Sequence, residues 1–157
     1  MTTTDLPNPS EIGHREKERA MAAYLTMFAT TAMGLPLPFL NFVAAWVYHH
    51  YTKRTSPFVS FHSYQSLILQ FIISLLNGAA VVWAIYSLIQ GNFTNLFYSY
   101  LIFIAAINLT YFIFSIIAAI KAYQGKMYYF FFFGKIAFIR GYRSYDTQEK
   151  AINKAPL

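Results

Sequence analysis

The chain has 157 residues, of which 57% are hydrophobic, 20% aromatic and only 11% charged, and its net charge is +6. An average soluble domain carries roughly 25% charged residues, so this chain has too few charges to cover the surface of a soluble fold. The composition therefore excludes a soluble enzyme, a nucleic-acid-binding module and a disordered chain, and it predicts an integral membrane protein of one domain.

The first predicted element is a polar segment over residues 1–19, in which we see no cleavable signal peptide. The apolar stretch that follows, residues 20–51, is interrupted by two prolines after a glycine, at 34–38. Proline inside a helix removes a hydrogen bond and clashes with the preceding turn, so this stretch should break into two arms. Each arm is about 20 Å long, short of the roughly 30 Å hydrocarbon core. We therefore expect a short helical hairpin; the alternative is one kinked span with the N-terminus outside.

Two long helices are predicted next, one over residues 57–90 and one over residues 96–122, joined by the uncharged turn 91–95. Basic residues flank these spans in the N-terminal segment, at 51–56 and after residue 119, whereas no charged residue occurs from 55 to 120. Basic residues concentrate on the cytoplasmic side of membrane proteins. Both termini and residues 51–56 should therefore be cytoplasmic and the 91–95 turn outside, in a bacterial inner membrane.

An aromatic and basic segment, residues 126–143, separates the helices from a polar tail, residues 144–157. Too few residues lie between its cations for a membrane crossing, so we expect it to lie on the cytoplasmic leaflet; the alternative is a docking surface for a partner. The basic residues expected at lipid headgroups are Lys53, Arg54, Lys121, Lys126, Lys135, Arg140 and Arg143.

Candidate functional residues are few. His62, Gln65 and Gln70 form a polar cluster on the first long helix, which is either a functional cleft or a set of hydrogen bonds to the short hairpin. His49 and His50, together with His62, could ligate a metal or haem, although adjacent histidines on a helix point about 100° apart. No acid in the apolar region completes a catalytic group and the chain has no cysteine, so we predict no enzyme and no cofactor.

A contact between the two long helices is predicted at equal depth on either side of the turn. Asn77 and Asn108 should meet there, with Ala79 and Ala106 allowing the backbones to approach. The alternative is that each amide bonds its own helix backbone or faces a partner chain.

Two sequence stretches carry a family resemblance. These are FVxxHxxxxxxxQ at 58–70 and IAAIKAxxGxxY at 117–128, together with the starts of the first two helices. They resemble the Tic-twenty-like superfamily of small membrane proteins over residues 16–133; that group includes a chloroplast inner-envelope translocon subunit, bacterial proteins of unassigned function and magnetosome membrane proteins. The resemblance implies an all-α four-helix bundle over residues 20–125, made of the short hairpin and two long antiparallel transmembrane helices.

The function expected from these features is that of a non-enzymatic membrane subunit that assembles with itself or other membrane proteins, in protein translocation or membrane-protein biogenesis. One alternative is a small channel or carrier with a polar path near the cluster of His62, Gln65 and Gln70. A second is a haem- or metal-binding subunit. The expected partners are the lipid bilayer and other membrane proteins or further copies of the chain, and not nucleic acid.

Overall fold

A computed structural model of the chain describes residues 7–32, 38–130 and 133–143, and every regular element within these ranges is a helix. The elements are α1 (His14–Ala32), α2 (Pro38–Thr52), α3 (Pro57–Gln90), α4 (Asn95–Tyr123), the short helix α5 (Gly134–Ala137) and a π-helix (Phe138–Arg143). The two predicted arms correspond to α1 and α2, but α1 begins at His14, within the segment predicted to be polar, and with 19 residues it is longer than the predicted arm. The predicted break between them lies, except for Pro38, outside the described residues.

The ends of the two long helices follow directly from local sequence. Ser56 caps α3 by accepting a hydrogen bond from the backbone N–H of Val59, and Pro57 occupies the first turn, where its missing N–H costs nothing. Gly91 ends α3 in the left-handed conformation, with φ of 61°, which glycine adopts without strain. Thr94 then caps α4 by accepting from the N–H of Phe97.

Helix α1 packs against all three of the other main helices, α2, α3 and α4. Its buried residues Ala20 and Tyr24 pack with Phe58 at the start of α3 and with Ala118 and Ala122 near the end of α4. Small residues at these positions allow the helix backbones to approach closely. The packed core therefore lies at the end of the molecule where α3 begins and α4 ends.

The C-terminal segment packs on this same end. Phe61 of α3 forms a second cluster with Ala137 and Tyr142, and Gly141 lies so close that an added Cβ would be 2.9 Å from the Cα of Phe61. Residues 133–143 thus lie against the first turns of α3.

The opposite ends of α3 and α4 are apolar and exposed. Val82, Leu88 and Ile102 are each about two-thirds or more accessible, at 68%, 70% and 72%. Both helices, with 34 and 29 residues, are long and apolar enough to cross a membrane. A surface of this kind is unfavourable in water.

Candidate functional site

A buried polar cluster lies between α1 and the first half of α3. His62, Gln65 and Gln70 are almost fully inaccessible, at 0%, 0% and 1%, and they contact hydroxyl groups of α1 and α3. The structure brings all three residues into one region, although the helical geometry puts Gln70 about 80° away from His62 around α3.

Tyr24 of α1 connects His62 with Gln65. The amide of Gln65 donates a hydrogen bond to the Tyr24 hydroxyl (3.1 Å), which lies 2.9 Å from Nδ1 of His62. Because the Gln65 amide donates to this hydroxyl and cannot accept from it, the one hydroxyl hydrogen goes to Nδ1 of His62. The network therefore assigns His62 the neutral tautomer that is protonated on Nε2.

Gln70 is held by two hydroxyl groups, one from each helix. Its amide nitrogen donates to Thr26 (2.8 Å) and to Ser66 (2.9 Å). Both hydroxyls in turn donate to the backbone carbonyl of Ala23, at 2.8 and 2.7 Å. The second half of the cluster thus links α1 and α3 through neutral hydrogen bonds.

The aromatic stretch at 127–130 covers one side of the cluster. The Gln65 amide donates its second hydrogen to the carbonyl of Tyr128 (2.9 Å), and the rings of Phe58 and Phe61 pack edge-on against His62 with centroids 4.5 and 4.9 Å away. The cluster is therefore enclosed by α1, α3 and this stretch, which the sequence placed at the membrane surface.

The other histidines are held separately and do not join His62. Nδ1 of His49 lies 2.8 Å from the hydroxyl of Ser63, whereas His50 is exposed and lies 3.4 Å from the Lys53 amine. Burial, helped by the neighbouring Lys53 and His50, lowers the pKa of His49 to about 4, so this ring is neutral at pH 7. The three histidines that the sequence grouped as metal or haem ligands thus have three different environments. Within residues 7–32, 38–130 and 133–143, no group of three or more metal-binding side chains occurs.

Asn77 and Asn108 lie together between α3 and α4. Each amide donates to the other's carbonyl oxygen, at 3.1 and 2.9 Å, and each also donates to its own helix backbone, at Ile73 and Ile104. The predicted contact between the two asparagines and the alternative, a bond from each amide to its own helix backbone, thus occur at the same time.

The alanines expected beside this amide pair require a correction. Ala79 and Ala106 are exposed, so the structure does not place them in the contact between α3 and α4. The reason is helical geometry: a residue two positions from the contacting asparagine lies about 200° around the helix. The small residue that allows a close approach near Asn77 is the buried Gly78, and it packs against the ring of Phe39 from α2.

The basic residues expected at headgroups lie at the surface around the packed end. Arg54, Lys126, Lys135, Arg140 and Arg143 are exposed, and Lys53 and Lys121 are partly exposed. They surround the region where α3 begins and α4 ends, and their role at a membrane surface stays a prediction.

Sequence reasoning missed the α1 partners of the cluster, Tyr24, Thr26 and the carbonyl of Ala23. A signal was present, because a hydroxyl inside an apolar helix must find a hydrogen-bond partner when it is buried. The partner on α3, however, could not be identified without knowing how the two helices pack. The cluster contains neutral groups whose hydroxyl hydrogens are all committed, which suits binding and helix association better than acid–base chemistry.

The comparisons with known proteins gave one match. A family profile described as the magnetosome magnetite crystal formation protein family (MamF/MmsF) matches residues 15–139. Neither curated proteins nor solved structures gave a significant match. The assignment to the Tic-twenty-like superfamily is therefore wrong, and the match gives no support to protein translocation. Short apolar motifs misled the assignment because membrane helices draw on few residue types, so short stretches discriminate poorly between families of membrane proteins.

Proposed function

We propose that this chain, which belongs to the magnetosome magnetite crystal formation family, is a non-enzymatic integral subunit of the magnetosome membrane. In this proposal it contributes to crystal formation by assembling in that membrane with lipid and with other membrane proteins or further copies of itself. The family is a magnetosome membrane protein family and is not known as an enzyme family.

The distribution of polar and apolar residues supports membrane integration. The buried face of α3 is rich in polar residues, such as Ser60, Gln65 and Ser74, whereas Val82 and Leu88 on the same helix are exposed. In water this arrangement would leave apolar side chains unprotected, but in lipid it places them in a favourable solvent. We infer that α3 and α4 are antiparallel transmembrane helices.

The contacts of α1 and α2 support a four-helix bundle over residues 20–125. Helix α2 has 15 residues and is about 22 Å long, which is less than the roughly 30 Å needed to cross the hydrocarbon core. Because α1 packs against α2, α3 and α4, the hairpin of α1 and α2 has protein neighbours on several sides. We infer that they enter the membrane as a hairpin and return to the side from which they came.

The charge distribution is the observation that carries the proposed mode of action. The positive-inside rule assigns both termini and residues 51–56 to the cytoplasm, and the 91–95 turn to the magnetosome lumen. All six acidic residues then lie on the cytoplasmic side, because none occurs between Glu18 and Asp146. Carboxylates are typical protein ligands for hard metal cations. A chain that presents none of them to the lumen would promote crystal formation through assembly and not through carboxylate contacts with the mineral.

The topology can be tested with single cysteines, since the chain has none of its own. Thr55→Cys is the better cytoplasmic site than the neighbouring Ser56, which is buried and caps α3. An impermeant maleimide should label Thr55→Cys on sealed magnetosome vesicles and should label the exposed turn variant Asn92→Cys only after permeabilisation. Labelling of Asn92→Cys, but not Thr55→Cys, on sealed vesicles would overturn the proposed topology.

The mode of action can be tested in cells that lack the chain and form magnetite. A complementing variant with Asp5→Asn, Asp146→Asn and Glu149→Gln removes three tail carboxylates. We expect crystal size with this variant to match that with the unmodified chain, measured by electron microscopy. Failure of the variant to restore crystal size, at an equal level in the membrane, would contradict a role through assembly alone.

A further inference from the structure

The buried cluster between α1 and α3 has an imbalance between hydrogen-bond donors and acceptors. The amide nitrogens of Gln65 and Gln70 each use both of their hydrogens. Their carbonyl oxygens, in contrast, are buried and have no hydrogen-bond partner among the described residues. Two acceptors are thus left without a donor in the most enclosed part of the molecule.

The imbalance does not come from the choice of amide orientation. Turning the Gln65 amide would direct its oxygen at the carbonyl oxygen of Tyr128, which cannot donate. Turning the Gln70 amide would direct its oxygen at two hydroxyls, of Thr26 and Ser66, whose hydrogens already go to the carbonyl of Ala23. The Tyr128 carbonyl therefore fixes the Gln65 amide, and the donation of both hydroxyl hydrogens to Ala23 favours the Gln70 orientation in which its oxygen is unpaired.

Two other buried atoms have polar neighbours that the glutamine oxygens lack. Nε2 of His62 lies outside hydrogen-bond geometry but interacts with the backbone of Lys126, and the Ser115 hydroxyl interacts with Tyr111. The two glutamine oxygens have no such neighbour and define the site.

We propose that this cluster is an internal hydration site, in which the side-chain oxygens of Gln65 and Gln70 each accept a hydrogen bond from a small bound donor. Buried polar groups are satisfied in native proteins, and an acceptor without a protein donor is satisfied by a bound molecule. The aromatic stretch at 127–130 covers the Gln65 side of the cluster through the hydrogen bond from Gln65 to the carbonyl of Tyr128.

The chemistry of the site selects a neutral molecule over a cation. Amide oxygens can bind either water or a cation, but no carboxylate occurs from residue 19 to residue 145 to balance a positive charge. An uncompensated charge in an enclosed apolar environment is strongly unfavourable. The two oxygens therefore bind water, and the polar cluster is hydrated inside an otherwise apolar domain.

Nuclear magnetic resonance tests the site in the unmodified, ¹⁵N-labelled chain in lipid nanodiscs. Side-chain amide signals of Gln65 and Gln70, identified by their loss in Gln65→Leu and Gln70→Leu, should show rotating-frame Overhauser cross-peaks to water. The sign of these cross-peaks separates direct contact from proton exchange. The matched control is the pair of Asn77 and Asn108, whose amide oxygens are all paired, so that their amides should show no cross-peak to water.

Two results would overturn the proposal. If the signals of Gln65 and Gln70 lack water cross-peaks as those of Asn77 and Asn108 do, the cluster is dry and no donor is bound. Spectra in potassium, ammonium and choline buffers test the charge of the bound molecule. Signals of Gln65 and Gln70 that shift with the identity of the cation would show that the site holds a cation, contrary to the neutral assignment.

Discussion

The reciprocal amide pair between α3 and α4 gives the sharpest energetic prediction. Asn77 and Asn108 exchange two hydrogen bonds, and each amide also bonds the carbonyl four residues earlier in its own helix. Every polar atom of both side chains is therefore satisfied. Replacing one asparagine with leucine of similar volume removes both interhelical bonds and leaves a carbonyl oxygen and one N–H of the other amide unpaired.

The expected cost follows from this count. An interhelical hydrogen bond in a membrane domain is worth about 0.6 kcal/mol on average and up to about 1.7 kcal/mol. Two lost bonds then cost about 1.2 to 3.4 kcal/mol, a range that overlaps the penalty of about 1–3 kcal/mol for an unpaired buried polar group. Asn77→Leu and Asn108→Leu should each destabilise the chain by this amount. The double variant should cost far less than the sum, because it leaves neither amide unpaired.

The assay is a double-mutant cycle on the free energy of unfolding, measured by titration with sodium dodecyl sulfate in bicelles. With Trp46 of α2 replaced by phenylalanine in every variant, the fluorescence of Trp83, which packs against Phe97 and Tyr100, reports on the contact between α3 and α4. Gln90→Leu is the control, because this exposed amide at the end of α3 should change stability by less than about 0.5 kcal/mol. A coupling energy below about 0.5 kcal/mol would refute the reasoning, since the pair would then contribute no more than two independent residues.

Three further predictions concern the end of the molecule where α3 begins. Gly141→Ala should destabilise the folded chain by about 1–3 kcal/mol and increase cleavage by trypsin after Arg140, because its Cβ would lie 2.9 Å from the backbone of Phe61. Gly13→Ala is the control, because an added Cβ there has no neighbour closer than 3.9 Å. Equal cleavage in both variants would contradict the close packing at Gly141. Ser56→Ala should destabilise the chain by about 0.5–2 kcal/mol in the same unfolding titration, because it removes the cap of α3, whereas an unchanged midpoint would show that the cap contributes nothing. For His49, burial lowers the pKa to about 4 in the folded chain, so the unfolded chain binds a proton first as the pH falls below 6.5. The contribution of His49 to the free energy of unfolding should be full above pH 6.5 and decline toward pH 4. His49→Gln should flatten this part of the plot of unfolding free energy against pH. An identical pH dependence in both chains would rule out the lowered pKa of His49.

Local sequence determined the helices of this protein and several of their ends. The caps at Ser56 and Thr94, Pro57 in the first turn and the left-handed Gly91 depend on interactions within a few residues, so the sequence alone indicates them. The apolar runs that form α3 and α4 are equally local. The depth matching of Asn77 and Asn108 also follows from the sequence, because a short turn joining two straight helices fixes which residues lie at the same height.

The tertiary structure alone decided which polar groups meet. Around a helix, residues separated by two positions face opposite sides, so Ala79 and Ala106 could not join the contact once the asparagines faced each other. The partners of Gln65 and Gln70 lie about 40 residues away on α1 and 63 residues away at Tyr128, separations that no local pattern encodes. Their positions depend on how α1 packs between α3 and α4 and on how the C-terminal segment folds back over α3. The unpaired acceptors of the cluster are therefore visible only once the packing of the whole chain is known, because a missing hydrogen bond depends on every group that surrounds it.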